Sequence, residues 1–378
     1  MEPERITALG HALVVGGGIG GMATAISLAE RGVAVELIDI DPDWRVYGAG
    51  ITITGPTLRA YRRLGMLEHI KREGAITSKT RLFRFDGTHL HDLDEPVIEE
   101  GLPAIGGIMR PVLHQIMQAR VRELDIAVRL GLTVDALDTV GADSVFSRVR
   151  DLAFPHMGPA QPTGQGCWRI AMKRPLDLDM GEFFLGHDNP CGITACSATM
   201  IYMWMLTPHQ RREQHFTEDE LFDRLKALLA DFGGHAGWIR DTMTRDDWLN
   251  YRPLAAALQP RPWSNGRVVM LGDAVHATMP ALGFGCGHGG GKRDRAGRGT
   301  GARGQRRCRA GGIRRTALRP VPGCDRDQPR GGAAPARTRR STRPCGHARR
   351  RARQAQRGLL NIGRGVRSRL SAPAAAQP

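Results

Sequence analysis

The chain lacks any apolar run approaching the roughly 20 residues that span a bilayer as a helix, and it holds no C-x-x-C pair. The first absence excludes a helical membrane span. The first apolar stretch is short and runs straight into a glycine motif, so no secretory leader and a cytoplasmic location are expected. Cys167, Cys191 and Cys196 lie in the first 285 residues and Cys286, Cys308, Cys324 and Cys345 beyond them. An odd number without metal-ligand spacing argues against a disulfide framework or a zinc site. Core or surface thiols are expected, with a Cys191–Cys196 pair across a turn as the alternative. A further absence sits at the end: from Cys286 to Pro378 there is no Phe, Trp, Tyr, Met or Glu. Such a composition cannot offset its ordering entropy, and a disordered, basic, low-complexity tail is expected over residues 286–378.

That tail also accounts for the charge. The formal net charge of +16 suggests a nucleic-acid binder. Yet residues 286–378 hold 25 Lys and Arg against 3 acids, whereas residues 1–285 hold 29 bases and 35 acids. The body is a mildly acidic globular protein, and nucleic acid is not its expected partner despite the tail.

What is present is concentrated in Leu13 to Asp39, LVVGGGIGGMATAISLAERGVAVELID. A short apolar run leads into Gly16, Gly18 and Gly21 in G-x-G-x-x-G spacing, with Gly20 between. A helical pattern follows, then a second apolar run ending in Asp39. This predicts strand, tight turn, helix and strand, with an acid about 20 residues after the first glycine. Gly16 permits the turn, Gly18 lets a pyrophosphate approach the backbone, and Gly21 lets helix and strand pack closely. The helix N-terminus offers N–H groups to phosphate, and Asp39 would accept hydrogen bonds from a ribose.

Further along, Gly48, Ala49 and Gly50 form a small-residue loop that lets a flat ligand approach the backbone. Pro56 opens a predicted helix whose Leu58, Tyr61, Leu64 and Leu67 share one face. Residues 78–93 read as strands about an Asp86-Gly87 hairpin turn. Residues 108–124 read as a helix carrying Arg110 near its start, and 127–134 as a strand. WRIAM, EFFLG and MIYMWML between Trp168 and Leu206 read as strands. Thr217 to Glu220 is a capping box opening a helix through Leu229. Residues 263–271 form a turn and strand that end in Gly272-Asp273.

Three separated segments, GGGIGG with Asp39, GADSVFSRVR from Gly141 and GDAVHATMPALGFG from Gly272, resemble the signatures of the group A flavin-dependent aromatic-ring monooxygenases, the para-hydroxybenzoate and salicylate hydroxylase-like family. RVYGAGITITGPTLRAYRRLGML, TGQGCWR and NYRPL add smaller matches in the same order. The resemblance implies an α/β fold, with a Rossmann-like FAD/NAD(P)-binding domain and an inserted mixed or antiparallel-sheet substrate domain. The FAD domain would be built from residues 1–77, 108–165 and 261–285, and the substrate domain from 78–107 and 166–260. FAD is the implied cofactor and NADH or NADPH the co-substrate. O2 would form a flavin C4a-hydroperoxide that hydroxylates a small aromatic or heteroaromatic molecule. Asp39 would hold the adenosine ribose, Arg110 the FAD backbone, Asp143 the D-G turn position and Asp273 the ribitol. Pro280, Gly283 and Gly285 would run beside the flavin ring, with Ala49 and Gly50 on its other side. His276 is expected to pack or hydrogen-bond under this loop rather than act as a base. Tyr47, Tyr202 and Met205 are read as either pocket or core. A homodimer is compatible with this reading.

Two departures from the family follow. Between Val134 and Gly141 only a few residues stand where the family has a meander and a strand, so the strand carrying Asp143 into the site is expected to be lost; Ser144 also replaces the glycine of the D-G pair. After Gly285 the family continues with a GMAxEDAxxLAxxL helix, which is absent here. Two alternatives therefore stay open: a non-hydroxylating FAD/NAD(P)H oxidoreductase, or an inactive remnant whose basic tail binds nucleic acid. Permitted codons from Cys286 onward, shifted by one base, can be written as AGMAVESATVLAEVLARGASVDA, which restores that helix. A frameshift near Gly285 is the expected origin of the tail. Resequencing the codons for Gly283 to Gly290 should reveal a displaced base, and an unambiguous in-frame CGHGGG there would refute this.

Overall fold

The computed structural model describes residues 9–46, 48–134, 140–141, 147–186, 188–209, 216–277 and 318–320. β1 (His11–Val15), α1 (Ile19–Ala29) and β2 (Ala34–Asp39) form the unit expected from the glycine motif. α1 is buried from Gly21 to Leu28, as befits a helix apolar on nearly every side. The chain continues through β3 (Gly50–Thr54), α2 (Gly55–Arg63), α3 (Leu67–Glu73), β4 (Ala75–Thr77), β5 (Lys79–Arg84), β6 (His89–Asp94), β7 (Ile105–Met109) and α4 (Arg110–Glu123). Then come β8 (Ala127–Leu130), β9 (Leu132–Val134), β10 (Val140–Gly141), α5 (Arg148–Ala153), β11 (Gln161–Lys173) and β12 (Gly181–Leu185). β13 (Cys191–Ala195), β14 (Met200–Pro208), α6 (Glu218–Leu228), α7 (Gly234–Thr242) and β15 (Trp248–Ala256) complete the second half. β16 (Ser264–Asn265), β17 (Val268–Val269), α8 (Asp273–His276) and β18 (Leu318–Pro320) end the described elements.

β10, β1, β2 and β8 make a parallel sheet in that order. A seven-stranded mixed sheet runs β15-β11-β14-β13-β12-β5-β6, antiparallel except where β12 meets β5. β3, β7 and β4 form a small antiparallel sheet. The α/β class with a mixed second sheet is as the motifs implied.

Several local expectations need correction. The helix foreseen over 108–124 begins at Arg110, because Ile108 and Met109 pair with Ile51 and Gly50. The single helix carrying Leu58 to Leu67 is two, α2 and α3, separated where Gly65 takes φ 73°. The strand over 127–134 breaks at Gly131, φ 72°. The strand thought lost before Asp143 survives as β10, whose two residues pair in parallel with Val14 and Val15. Leu318–Pro320, inside the tail expected to be disordered, pairs antiparallel with the free side of β9. The capping box at Thr217 forms in full, with Glu220 bonding back to the Thr217 N–H. Cys167, Cys191 and Cys196 are free thiols, all buried, and burial pushes Cys167 up to about 11 and Cys196 up to about 12.

The alternation of β14 divides the interior. Tyr202, Trp204 and Leu206 join the core that contains α1, α2 and α4, whereas Ile201, Met203 and Met205 join the core beneath α6 and α7. Side chains two apart share a sheet face, so the seven-stranded sheet presents one face to the glycine motif and one to the helices. On the helix side, His235 of α7 donates from Nδ1 to Glu182 Oε1 of β12 at 2.8 Å, and its Nε2 lies 3.2 Å from Asp177. Glu182 is only 3% exposed. Its carboxylate raises the imidazole from 6.5 to about 9. A raised histidine stabilises the fold fully below its unfolded value and stops doing so as pH passes the folded one. Denaturation midpoints should therefore fall between about pH 6.5 and 9, and His235→Asn should flatten that fall.

Candidate functional site

The glycine turn is built from close approaches. Gly16 ends β1 with φ 103°, a conformation that side chains strain to adopt. A Cβ on Gly21 would stand 1.7 Å from the Gly16 carbonyl oxygen, so helix and turn pack at backbone contact. Gly18 differs: it has φ −72°, is exposed, and a Cβ there meets nothing within 4 Å. Gly20 lies in the first turn of α1, where its carbonyl accepts from Thr24 Oγ1 at 2.9 Å. α1 has no side-chain cap and no acid in its first turn, which leaves its N-terminal field open to an anion. Asp39 ends β2, and its carboxylate accepts from Gly17 N–H at 2.6 Å and from Asp41 N–H at 2.8 Å. Those two bonds orient it toward the turn and leave further lone pairs for another donor.

The second loop lies against the start of α4. Gly48 has φ 128°, and a Cβ on it would meet Arg110 Cδ at 3.0 Å. The Arg110 N–H donates to the Ala49 carbonyl at 2.8 Å. The Arg110 side chain is exposed, and no carboxylate pairs with it among the described residues. Gly50 is pressed onto the seven-stranded sheet, where a Cβ would meet Cys196 Sγ and Tyr202 Cβ, each at 2.4 Å. Thr52 and Thr194 share a 3.1 Å hydroxyl contact across the same junction.

The third segment closes behind the first. Gly272, φ 63°, starts the short α8, and Asp273 is exposed at its first position. Ala274 and Val275 share a buried core with Val15 and Ile38, the residues just before Gly16 and Asp39. The Gly272-Asp273 turn is thereby tied to the ends of β1 and β2. His276 is buried with its ring 5.5 Å from that of Trp263. Met205 belongs to the core on the far face and Tyr202 faces the glycine motif. Tyr47, Asp143, Pro280, Gly283 and Gly285 lie outside the described residues.

Three further residues of this region were not singled out from the sequence, and only Arg169 lies in a matched segment, TGQGCWR. Trp44 and His114 both reach the Gly17 carbonyl. Arg169 of β11 lies opposite Trp204 and Asn250, on the same face as Cys167 and Ala171 and hence toward the glycine motif. Burial pushes the Tyr202 phenol up to about 12, while Arg169 and Arg110 act on it in the opposite direction. No carboxylate pairs with Arg169 among the described residues.

A parallel βαβ turn with an open helix N-terminus, glycines without room for side chains, and an acid closing β2 define a dinucleotide-binding oxidoreductase fold. The sequence matches the FAD binding domain family over residues 11–137 and 117–289, and the chain belongs to that family of flavoproteins. Relatives include 2-heptyl-3-hydroxy-4(1H)-quinolone synthase of Pseudomonas aeruginosa (strain UCBPP-PA14), 28% identical over 301 residues, which cover 72% of this chain and 76% of that one. HpxO of Klebsiella pneumoniae, solved with FAD and uric acid, superposes with a TM-score of 0.67 at 19% identity, covering 78% of this chain and 81% of its own. The tetrameric form of 2-methyl-3-hydroxypyridine-5-carboxylic acid oxygenase superposes with a TM-score of 0.64 at 20% identity, over 77% and 82%.

FAD fits this cradle by the glycines themselves: space stands open over Gly18, whereas Gly21 and Gly50 have none to spare. Gly18→Ala should leave the thermal midpoint of the apoprotein unchanged and weaken FAD binding about tenfold or more, read by flavin fluorescence titration. Gly21→Ala should instead destabilise the apoprotein by about 1–3 kcal/mol or more through overpacking, read by urea denaturation.

Proposed function

We propose that this protein is an FAD-dependent monooxygenase that uses NADH or NADPH and O2 to hydroxylate a small aromatic or heteroaromatic acid. The observation that carries the reading is one junction. The Gly48–Gly50 loop meets the seven-stranded sheet at Tyr202, with Arg110 against Gly48 and the charges of both Arg110 and Arg169 acting on the Tyr202 phenol. Gly16, Gly18, Gly20 and Gly21 would hold the pyrophosphate, Asp39 the ribose, Arg110 the phosphate-to-ribitol stretch, and Gly272-Asp273 the ribitol. Ala49 and Gly50 would lie along the flavin, as would Pro280, Gly283 and Gly285, with Asp143 completing the turn. Bound FAD supplies electron transfer from the nicotinamide and oxygen transfer to the substrate.

The chain's own groups bind and orient. Arg169 is a partly buried cation on the face turned toward the Gly50 loop, with no carboxylate among the described residues to neutralise it. A guanidinium so placed recognises a planar carboxylate or a phenolate through two parallel N–H donors. The Tyr202 hydroxyl stays protonated at neutral pH and can donate to the same ligand. Cys167, Ala171 and Trp204 continue that face as an apolar wall, which excludes water and favours an aromatic ring. The relatives' names support the class: one makes a hydroxyquinolone, one was solved with uric acid, and one is an oxygenase of a pyridine carboxylic acid.

Purified protein should carry yellow flavin that NADH or NADPH bleaches anaerobically, and NAD(P)H-driven O2 uptake should rise with the right aromatic acid. Flavin-free protein that FAD cannot reconstitute would refute the reading. Arg169→Met should raise KM for acidic substrates about tenfold or more while leaving FAD affinity unchanged.

A further inference from the structure

The Gly17 peptide is held on one side by the acid of the glycine motif and on the other by two side chains that no motif contains. Its N–H donates to Asp39 Oδ2 at 2.6 Å. Its carbonyl accepts from Trp44 Nε1 at 2.9 Å and from His114 Nε2 at 3.2 Å. Both donors are buried, Trp44 at 6% and His114 at 4% exposure. The two rings meet edge to face with centroids 6.0 Å apart, and Gln118 Nε2 donates to the Trp44 carbonyl at 3.0 Å. Burial lowers the His114 pKa. The ring is therefore neutral at physiological pH with its proton on Nε2, because a carbonyl can only accept.

This arrangement has a directional consequence. In a trans peptide the carbonyl of one residue and the N–H of the next point to opposite sides. The Gly17–Gly18 bond is trans. Two donors that pull the Gly17 carbonyl inward toward α4 therefore turn the Gly18 N–H outward. That N–H has no partner among the described residues, and a Cβ on its residue would meet nothing within 4 Å. Without the clamp the peptide could rotate and aim its carbonyl at the same space, presenting partial negative charge to a phosphate.

We infer that Trp44 and His114 are positioning residues for the pyrophosphate of FAD, fixing the Gly17–Gly18 peptide so that Gly18 donates to a phosphate oxygen. The inference rests on FAD binding and is independent of which substrate, if any, is hydroxylated. It explains why Gly17 must be glycine although it lies outside the motif: a Cβ there would stand 2.3 Å from Trp44 Nε1.

The test is calorimetric titration of apoprotein with FAD, ADP and adenosine. Trp44→Phe and His114→Leu remove one donor each and keep the apolar volume; His114→Gln keeps an N–H donor. FAD and ADP affinities should fall about tenfold in Trp44→Phe and His114→Leu, while adenosine, which has no phosphate, binds as to the parent protein. His114→Gln should retain ADP affinity to within about twofold. ADP affinity unchanged in both donor-deleted variants would overturn the inference, as would an equal loss for adenosine and ADP, the mark of a merely structural role. A parent protein that binds neither FAD nor ADP would overturn the cofactor assignment and this inference together, whereas intact parent binding with insensitive variants overturns this inference alone.

Discussion

Everything that faces the cofactor depends on α1 lying against the end of β1 without an intervening side chain. Because Gly21 touches the Gly16 carbonyl, the helix N-terminus is brought over the carboxyl ends of β1 and β2, and the turn between is confined to a few backbone atoms. A turn so short has no side chains with which to satisfy or aim its own peptides. Their orientation is supplied from outside, by Asp39 from the next strand and by Trp44 and His114 from segments farther along the chain. The helix field, the open backbone over Gly18 and the acid at the end of β2 follow from that one contact.

The second sheet is bound to this unit through small residues as well. Gly50 permits β3 to lie on Tyr202 and Cys196, and a Cβ on Gly107 would stand 2.2 Å from the Ala195 carbonyl, so β7 approaches β13 equally closely. The sheet thus presents Arg169 and Tyr202 at a short, rigid distance from the loop that runs along the cofactor. On its other face α6 and α7 bury a methionine-rich core, and the His235–Glu182 contact holds α7 to β12. One face of a single sheet serves the ligand while the other serves stability.

How much of this was legible in the sequence follows from how local each signal is. The glycine spacing, the Thr217 capping box and the Asp86-Gly87 hairpin each act within a few residues, and each formed as read. Gly16, Gly21, Gly50 and Asp39 could be nominated because motif position and backbone need coincide. β10 escaped because two residues have no period, and their strand character comes from β1 alongside. α7 escaped because Gly234 and Gly237 weaken its helical pattern, which packing restores. Trp44 and His114 were invisible for a different reason: each bonds Gly17 across 27 and 97 positions respectively, and nothing in their own neighbourhoods marks them. Arg169 sits in TGQGCWR, noticed as a resemblance, but its place beside Tyr202 without a carboxylate among the described residues is a three-dimensional fact.

The buried thiols give the chain an unplanned chemical asymmetry. Cys167, Cys191 and Cys196 are enclosed by the two large cores, and burial shifts all three away from the thiolate. Thiolate is the form that reacts with alkylating agents, oxidants and metals. The three cysteines of the folded body are accordingly silent toward such reagents at neutral pH. The appearance of maleimide on Cys167, Cys191 or Cys196 would clock the opening of the sheet.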